Sequence, residues 1–232
     1  MTNNTQNSWS KQYGNRNEMA YPPEYVIRIF KGDYPRLALP KNSFSGKKII
    51  DVGCGDGRCL PFFKDLGFEP FGVEISQEAI TRIQQNLVNC GYGDQINLAV
   101  GNNSMLPFND NFFDYLLSWN ACYYMGSIRS FSLYVKEFAR VLRGNGQLIL
   151  SIPKKTCFIY KESIEIEPGC RMITQDPFNA RNGDVLRMFE NEQDIKNEFS
   201  SHFTNFTFAS IEDDCFGYDY HWHLVVCTKK DK

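Results

Sequence analysis

Two hydrophobic periods alternate along the chain. Lys48-Ile49-Ile50-Asp51-Val52 is a continuous β-branched run closed by Gly53, the pattern of a strand buried on both faces. A helix is expected next, from about Cys59 to Leu66, with Pro61 limiting how early its hydrogen bonds begin. Pro70 to Glu74 reads as a second strand. Ser76 suits a helix N-cap, and Ile80, Ile83 and Leu87 then recur at helical spacing up to Gly91. Gln95 to Val100 and Phe112 to Trp119 read as strands three and four. Phe131, Tyr134, Val135, Phe138, Val141 and Leu142 mark an amphipathic helix, and Gln147 to Ile152 a fifth strand stopped by Pro153. A helix at Glu192 to Phe199 and strands at Phe206 to Ile211 and His221 to Thr228 close the pattern. Alternating strands and helices of this kind demand a parallel sheet with helices on both faces.

Two stretches fall outside the alternation. Residues 1–12 are polar and Asn-rich and read as a disordered tail. Residues 13–46 read as a helical lead-in, with a helix starting after Pro22-Pro23. Residues 154–188 show no period and contain Pro168-Gly169 and Asn182-Gly183; a segment this long suits a cap insertion within one domain spanning 13–232.

Composition narrows the function. The chain has 232 residues and a net charge of -2, with no basic stripe, so no nucleic-acid partner is expected. No apolar run reaches membrane-spanning length, and no membrane partner is expected. The start lacks a signal peptide's apolar centre, and the eight cysteines form no C-x-x-C pair. They read as reduced thiols of a cytoplasmic protein, monomer or homodimer, with no metal site.

The chemistry concentrates in Asp51-Val52-Gly53-Cys54-Gly55-Asp56-Gly57. Glycines permit a tight turn and close backbone approach to a ligand, and the following helix points its positive end at it. Dinucleotide sites need a third glycine three residues after the second; Arg58 stands there, so that fingerprint fails. An acid at Asp51 suits a ligand ammonium instead. Glu74, nineteen residues beyond Gly55 at the end of strand two, is placed to accept hydrogen bonds from ribose hydroxyls; the alternative is a surface acid.

With Val73-Glu74-Ile75-Ser76 and the segment from Gly101 to Asp114, this turn resembles the class I S-adenosylmethionine-dependent methyltransferases, of the type-11-like kind often acting on small molecules. The resemblance implies a Rossmann-like α/β fold with a seven-stranded sheet of order 3-2-1-4-5-7-6, strand seven antiparallel. It implies S-adenosylmethionine as cofactor, with Asp51, Gly53, Cys54, Gly55, Glu74, Ile75, Asn102, Asn103 and Asn120 around it. The family usually has an acid where Asn102 stands; its carbonyl oxygen can still accept from the adenine amino group. Asn103 is expected to offer backbone to the adenine edge, and Asn120 to the methionyl part. Tyr13, with Trp9 and Tyr21, either folds over the cofactor or packs as an ordinary N-terminal element.

The acceptor is bounded more loosely. Ligands of parallel sheets bind beyond the carboxyl ends of the strands. His221 lies at that edge as a candidate general base, or as a plain strand-edge histidine; His223 shares its face, Trp222 opposes both, and His202 is remote. Tyr123, with Tyr124, either walls the acceptor pocket and assists catalysis or simply packs. Arg171, Arg181 and Arg187 in 154–188 suggest a polar acceptor methylated on O or N, such as a sugar or nucleotide-linked metabolite. Three other readings remain: a nucleic-acid methyltransferase, disfavoured by Ser118-Trp119-Asn120-Ala121, which lacks the prolines that hold a flipped base; an NAD(P)-dependent oxidoreductase; and a binding module without activity.

Overall fold

The computed structural model describes residues 21–40, 44–126 and 130–231. The expectations for residues 1–12, Trp9 and Tyr13 lie outside the described residues. The first described helix, α1 (Glu24–Lys31), follows Pro22-Pro23 and buries Val26, Ile29 and Phe30 along one face. Phe30 lies within ring-contact distance of Phe44, Phe62, Phe63, Phe68 and Tyr115. The helix therefore docks as a structural layer against the sheet. Tyr21, just before it, is 89% exposed.

The central elements follow the sequence pattern: β1 (Lys48–Val52), α2 (Leu60–Asp65), β2 (Glu69–Glu74), α3 (Gln77–Asn89), β3 (Asn97–Val100), β4 (Phe113–Trp119), α4 (Ser132–Val141) and β5 (Leu142–Pro153). Ser76 caps α3 by accepting the Ala79 N–H at 3.2 Å, while Ala79, Ile80, Ile83 and Leu87 face the core. The third strand starts two residues later than expected because Gly93–Gln95 close into a 3₁₀ turn. The fifth strand starts earlier: Leu142 already pairs with Phe113, and Arg143 to Gly146 bulge out before Gln147 pairs with Tyr115.

After β5 come β6 (Ser163–Glu167), β7 (Cys170–Ile173), β8 (Val185–Arg187), α5 (Glu192–Phe199), β9 (Phe203–Asp214) and β10 (Asp219–Lys229). Among the described residues the main sheet has the order β3-β2-β1-β4-β5-β10-β9. Neighbours from β3 to β5 are parallel, and β10 runs antiparallel to both β5 and β9. Counting only the strands of this sheet, that is the expected 3-2-1-4-5-7-6. Its last two strands are longer than the hydrophobic run suggested, because β9 and β10 pair as a hairpin out to Asp214 and Asp219.

The aperiodic stretch before α5 is folded. β6, β7 and β8 form a separate antiparallel three-stranded sheet. It docks through backbone bonds: Arg187 N–H donates to Tyr123 C=O at 2.8 Å, and Met125 N–H to Val185 C=O at 2.9 Å. The Tyr160 hydroxyl adds a bond to Arg187 C=O at 2.9 Å. The segment after β4 is thereby paired like a short strand.

Phe30 is buried in a cluster that joins α1 and α2 to the sheet. Phe30→Ala is expected to cost about 3–5 kcal/mol in urea-denaturation stability; a loss below about 1 kcal/mol would show that α1 is not integral to the fold.

Candidate functional site

The turn after β1 sits at the carboxyl edge of the sheet. Gly53, Gly55 and Gly57 all adopt left-handed backbone (φ 74°, 65° and 84°), a region costly for side chains with a Cβ. At Gly53 a Cβ would also lie 2.5 Å from the Ala121 methyl. The turn is thus pressed against the segment after β4. Gly53 and Cys54 N–H groups donate to Val73 C=O at 2.9 and 3.1 Å.

Glu74 completes this joint. Its Oε1 accepts the Gly55 N–H at 2.8 Å and its Oε2 the Ile75 N–H at 3.0 Å. Each oxygen keeps a second lone pair, so the carboxylate can accept further hydroxyl donors while holding the turn. Burial raises the Glu74 pKa; the two backbone bonds oppose that rise.

Asp51 is 3% exposed at the end of β1. Burial, aided by the nearby Glu74 and Asp56 charges and opposed by Arg58, pushes its pKa up to about 7. Three carboxylates gather here with two arginines, Arg58 acting on Asp51 and Arg82 on Glu74, which leaves an excess of negative charge. Such a site gains from a ligand cation. S-adenosylmethionine brings an ammonium and a sulfonium, so the residues present fit it. A dinucleotide would bring two phosphates into the same acidic surroundings, which counts against the oxidoreductase reading.

Cys54 has its side chain turned inward, in a cluster with Leu60, Ile83, Leu87 and Ile96. Burial raises its thiol pKa well above the ordinary range, so it is neither a nucleophile nor a side-chain contact for ligand; its backbone alone belongs to the turn. Ile75 is partly buried beside Glu74.

The Asn102-Asn103 loop divides differently from expectation. Asn102 Oδ1 accepts from Ser104 N–H at 2.9 Å and from Ser104 Oγ at 2.7 Å, shaping its own loop instead of offering a free carbonyl. Asn103 turns inward, and its Nδ2 donates to Ala121 C=O at 3.1 Å. A residue the sequence reading missed holds this loop. Arg140 on α4 donates to the carbonyls of Leu106 and Phe108 at 2.9 and 2.7 Å, and pairs with Glu137 and Asp110. Glu137 accepts the Leu106 N–H at 2.6 Å. The i, i+3 pair on a helix was the available signal.

Asn120 adopts left-handed backbone (φ 57°) and hydrogen-bonds Ser151 Oγ through both its N–H and Oδ1, each at 2.7 Å. Its side chain also lies near the Tyr220 hydroxyl and opposes the rise that burial imposes on that hydroxyl's pKa. Beyond it lies an aromatic wall. Tyr123 stacks on Tyr124 (centroids 4.9 Å) and leans on Trp222 (5.8 Å), which leans on Tyr220 (5.4 Å). Tyr123, Tyr124, Tyr160 and Trp222 are all buried. Burial holds the Tyr123 and Tyr160 hydroxyls well above their ordinary pKa, so both stay protonated. Tyr123 is therefore a hydrogen-bond donor here, not a general base.

His221 is not brought to this wall. Trp222 faces Tyr123, so alternation puts His221 on the opposite face of β10. There its Nδ1 bonds Thr156 Oγ1 at 2.9 Å, near the ion pair of Lys154 and Glu212. The expectation of a His221 base is corrected on this ground. His223 shares that face, and burial with Lys154 nearby pushes its pKa down to about 4. Tyr220 and Trp222, which the sequence reading passed over, occupy the face that matters.

The arginines of the insertion are also committed. Arg171 donates to Ser163 Oγ and C=O, Arg181 to Asp176 and the Tyr124 hydroxyl, and Arg187 to the Gly169 and Met188 carbonyls. They staple the insertion together, which removes their support for a nucleotide-linked acceptor.

Comparison with known proteins agrees with this geometry. The profile of the family described as "Methyltransferase domain" matches residues 50–150. Sarcosine/dimethylglycine N-methyltransferase of Aphanothece halophytica is 29% identical over 50% of this chain and 41% of its own length. The first curated relatives are thus matched over less than half of their length. A solved S-adenosylmethionine-dependent methyltransferase of Methanosarcina mazei superimposes with a TM-score of 0.67 at 20% identity, over 92% of this chain and 100% of its own. The Burkholderia thailandensis 1,6-didemethyltoxoflavin-N1-methyltransferase, solved with that substrate and S-adenosylhomocysteine, has a TM-score of 0.58 at 17% identity, over 81% and 72%. Over residues 50–150 this chain is similar to the methyltransferase-domain family, and its fold is that of solved S-adenosylmethionine-dependent methyltransferases. The turn from Asp51 to Gly57 with Glu74 is its candidate cofactor site.

Two outcomes follow. The folded pKa of Asp51, about 7, exceeds its ordinary value of 3.8. Stability from the protonated form is complete below that lower value and falls away as pH rises through 7. Ligand-free Tm should therefore decline from pH 5 to 8, and Asp51→Asn should flatten the decline; an unchanged slope in that variant would refute the assignment. S-adenosylhomocysteine affinity, in turn, should drop about tenfold, or about 1.4 kcal/mol, in Arg140→Ala. Calorimetric titration showing less than a twofold change would remove Arg140 from the support of the cofactor loop.

Proposed function

We propose that the chain transfers the methyl group of S-adenosylmethionine to an oxygen or nitrogen of a small molecule. The observation that carries this reading is the continuity between the acidic glycine turn and a buried aromatic wall through Asn120 and Ala121. Ala121 touches both Gly53 and Asn103, and the Asn120 side chain lies near the Tyr220 hydroxyl. The two relatives named for their substrates act on sarcosine/dimethylglycine and 1,6-didemethyltoxoflavin, which supports a small acceptor.

S-adenosylmethionine, when bound, supplies a methyl group on an electrophilic sulfonium. Asp51 would face the ammonium and Glu74 the ribose hydroxyls, with the Gly53 to Gly55 backbone along the amino-acid part. The aromatic wall excludes water and orients the acceptor. With His221 and His223 on the other face of β10 and Tyr123 held protonated, no base is assigned; orientation and desolvation carry the catalysis. An amine acceptor would arrive unprotonated. Among the described residues no helix is long and apolar enough to cross a membrane. All eight cysteines are free, which suits a reducing compartment such as the cytoplasm.

Labelled methyl transfer from S-adenosylmethionine to the small-molecule fraction of a cell extract is the expected result. Glu74→Ala should lower kcat/KM for the cofactor by about 10–100-fold, about 1.4–2.7 kcal/mol. Label appearing instead in bulk tRNA or DNA would overturn the small-molecule reading. No calorimetric binding of S-adenosylmethionine by folded protein would overturn the whole proposal.

A further inference from the structure

The Tyr123 hydroxyl and the Trp222 indole N–H are both buried, and neither has a hydrogen-bond partner among the described residues. Their rings touch, with centroids 5.8 Å apart and planes inclined at 52°. Each buried polar group left unpaired costs about 1–3 kcal/mol. Two such donors on touching rings, at the sheet edge where ligands of parallel α/β sheets bind, are poorly explained as packing. They are well explained as donors arranged for a guest.

We propose, building on the methyltransferase reading, that Tyr123 and Trp222 together hold an oxygen atom of a planar aromatic acceptor. The indole N–H can only donate and the protonated phenol donates as well, so the guest presents an acceptor oxygen: a carbonyl, a phenolate or a hydroxyl. The surroundings select the rest of the molecule. Tyr124 stacks behind Tyr123 and Tyr220 leans on Trp222. Phe158 lies near-parallel to Tyr220, with centroids 6.4 Å apart and planes at 21°. Phe178 and Tyr218 meet at 5.4 Å, touch Phe158, and are 50% and 38% exposed, giving the wall an aromatic rim open to solvent. Aromatic faces of this kind receive a flat ring by stacked and edge contacts.

A sugar would need many acceptors for its hydroxyls. The Asp176 carboxylate is already taken by Arg181 and the Ala180 N–H. A phosphate would need cations, and the arginines of the insertion are bound internally. The wall therefore favours an aromatic ring with few polar atoms over the sugar or nucleotide-linked class.

The test uses full-length protein saturated with S-adenosylhomocysteine and labelled at the tryptophan indole nitrogens. The Trp222 signal is assigned by its loss in Trp222→Phe. The probes are 2-naphthol, naphthalene and methyl glucoside. The expected result is a shift of the Trp222 signal by 2-naphthol, with affinity at least tenfold above that for naphthalene and no response to the glucoside. Tyr123→Phe should erase the preference for naphthol over naphthalene without lowering Tm, because the hydroxyl removed has no partner among the described residues. An unmoved Trp222 signal would overturn the proposal. So would a glucoside binding as well as naphthol, or a Tyr123→Phe protein that loses several degrees of Tm yet keeps the preference. Titration of S-adenosylhomocysteine in the same samples reads the cofactor site separately; should it not bind, the methyltransferase reading fails and the probes still test the wall on the ligand-free protein.

Discussion

One carboxylate ties together the strand ends on which the site is built. Glu74 closes β2 by taking the Ile75 N–H and reaches across to the Gly55 N–H in the turn after β1. Without it, the left-handed glycine turn would present bare amides at the sheet edge, where backbone groups must find partners. With it, the turn is fixed against β2 on one side and against Ala121 on the other. Everything that approaches the cofactor position does so from one of those two sides. Local charge follows from the same joint: with Glu74 anchored there, Asp51 and Asp56 add to an acidic pocket that a cation relieves.

The segment after β4 carries the influence of this joint outward. Asn120 breaks from the strand in left-handed backbone, bonds to Ser151 and lies near Tyr220. Ala121 then touches the glycine turn and accepts from Asn103, and Tyr123 to Met125 pair with β8. The glycine turn, the Asn102-Asn103 loop and the aromatic wall meet within six consecutive residues. Arg140 stabilises the arrangement from below by gathering the carbonyls of Leu106 and Phe108. Side chains remote from any ligand thus set the geometry of the site.

The main sheet was legible because its strands are continuous apolar runs bounded by glycine and proline, as at Ile49 to Val52 and Leu148 to Ile152. The glycine turn and Glu74 were legible because their spacing is chemical: an acid at one strand end must meet a turn at the next. β6 to β8 were not, since they are short, partly exposed strands whose pairing with one another and with Tyr123 to Met125 is carried by backbone atoms. Such pairing leaves little trace in residue type. On β10 the alternation correctly set Trp222 against His221 and His223. Which of those faces met the wall depended on where the segment after β4 lay, and no local pattern encodes that. Asn102 misled for a related reason: its oxygen was available until Ser104 folded onto it.

The attachment of β8 has a bearing on how such a domain can change. Arg187 and Val185 grip Tyr123 and Met125 by main-chain atoms, so the grip is nearly indifferent to the identity of the side chains it joins. Residues on the insertion's rim, such as Phe178, can be exchanged without moving Tyr123, and the cofactor turn does not register the exchange. Acceptor preference in this architecture is therefore free to diverge among descendants while the chemistry they inherit stays fixed.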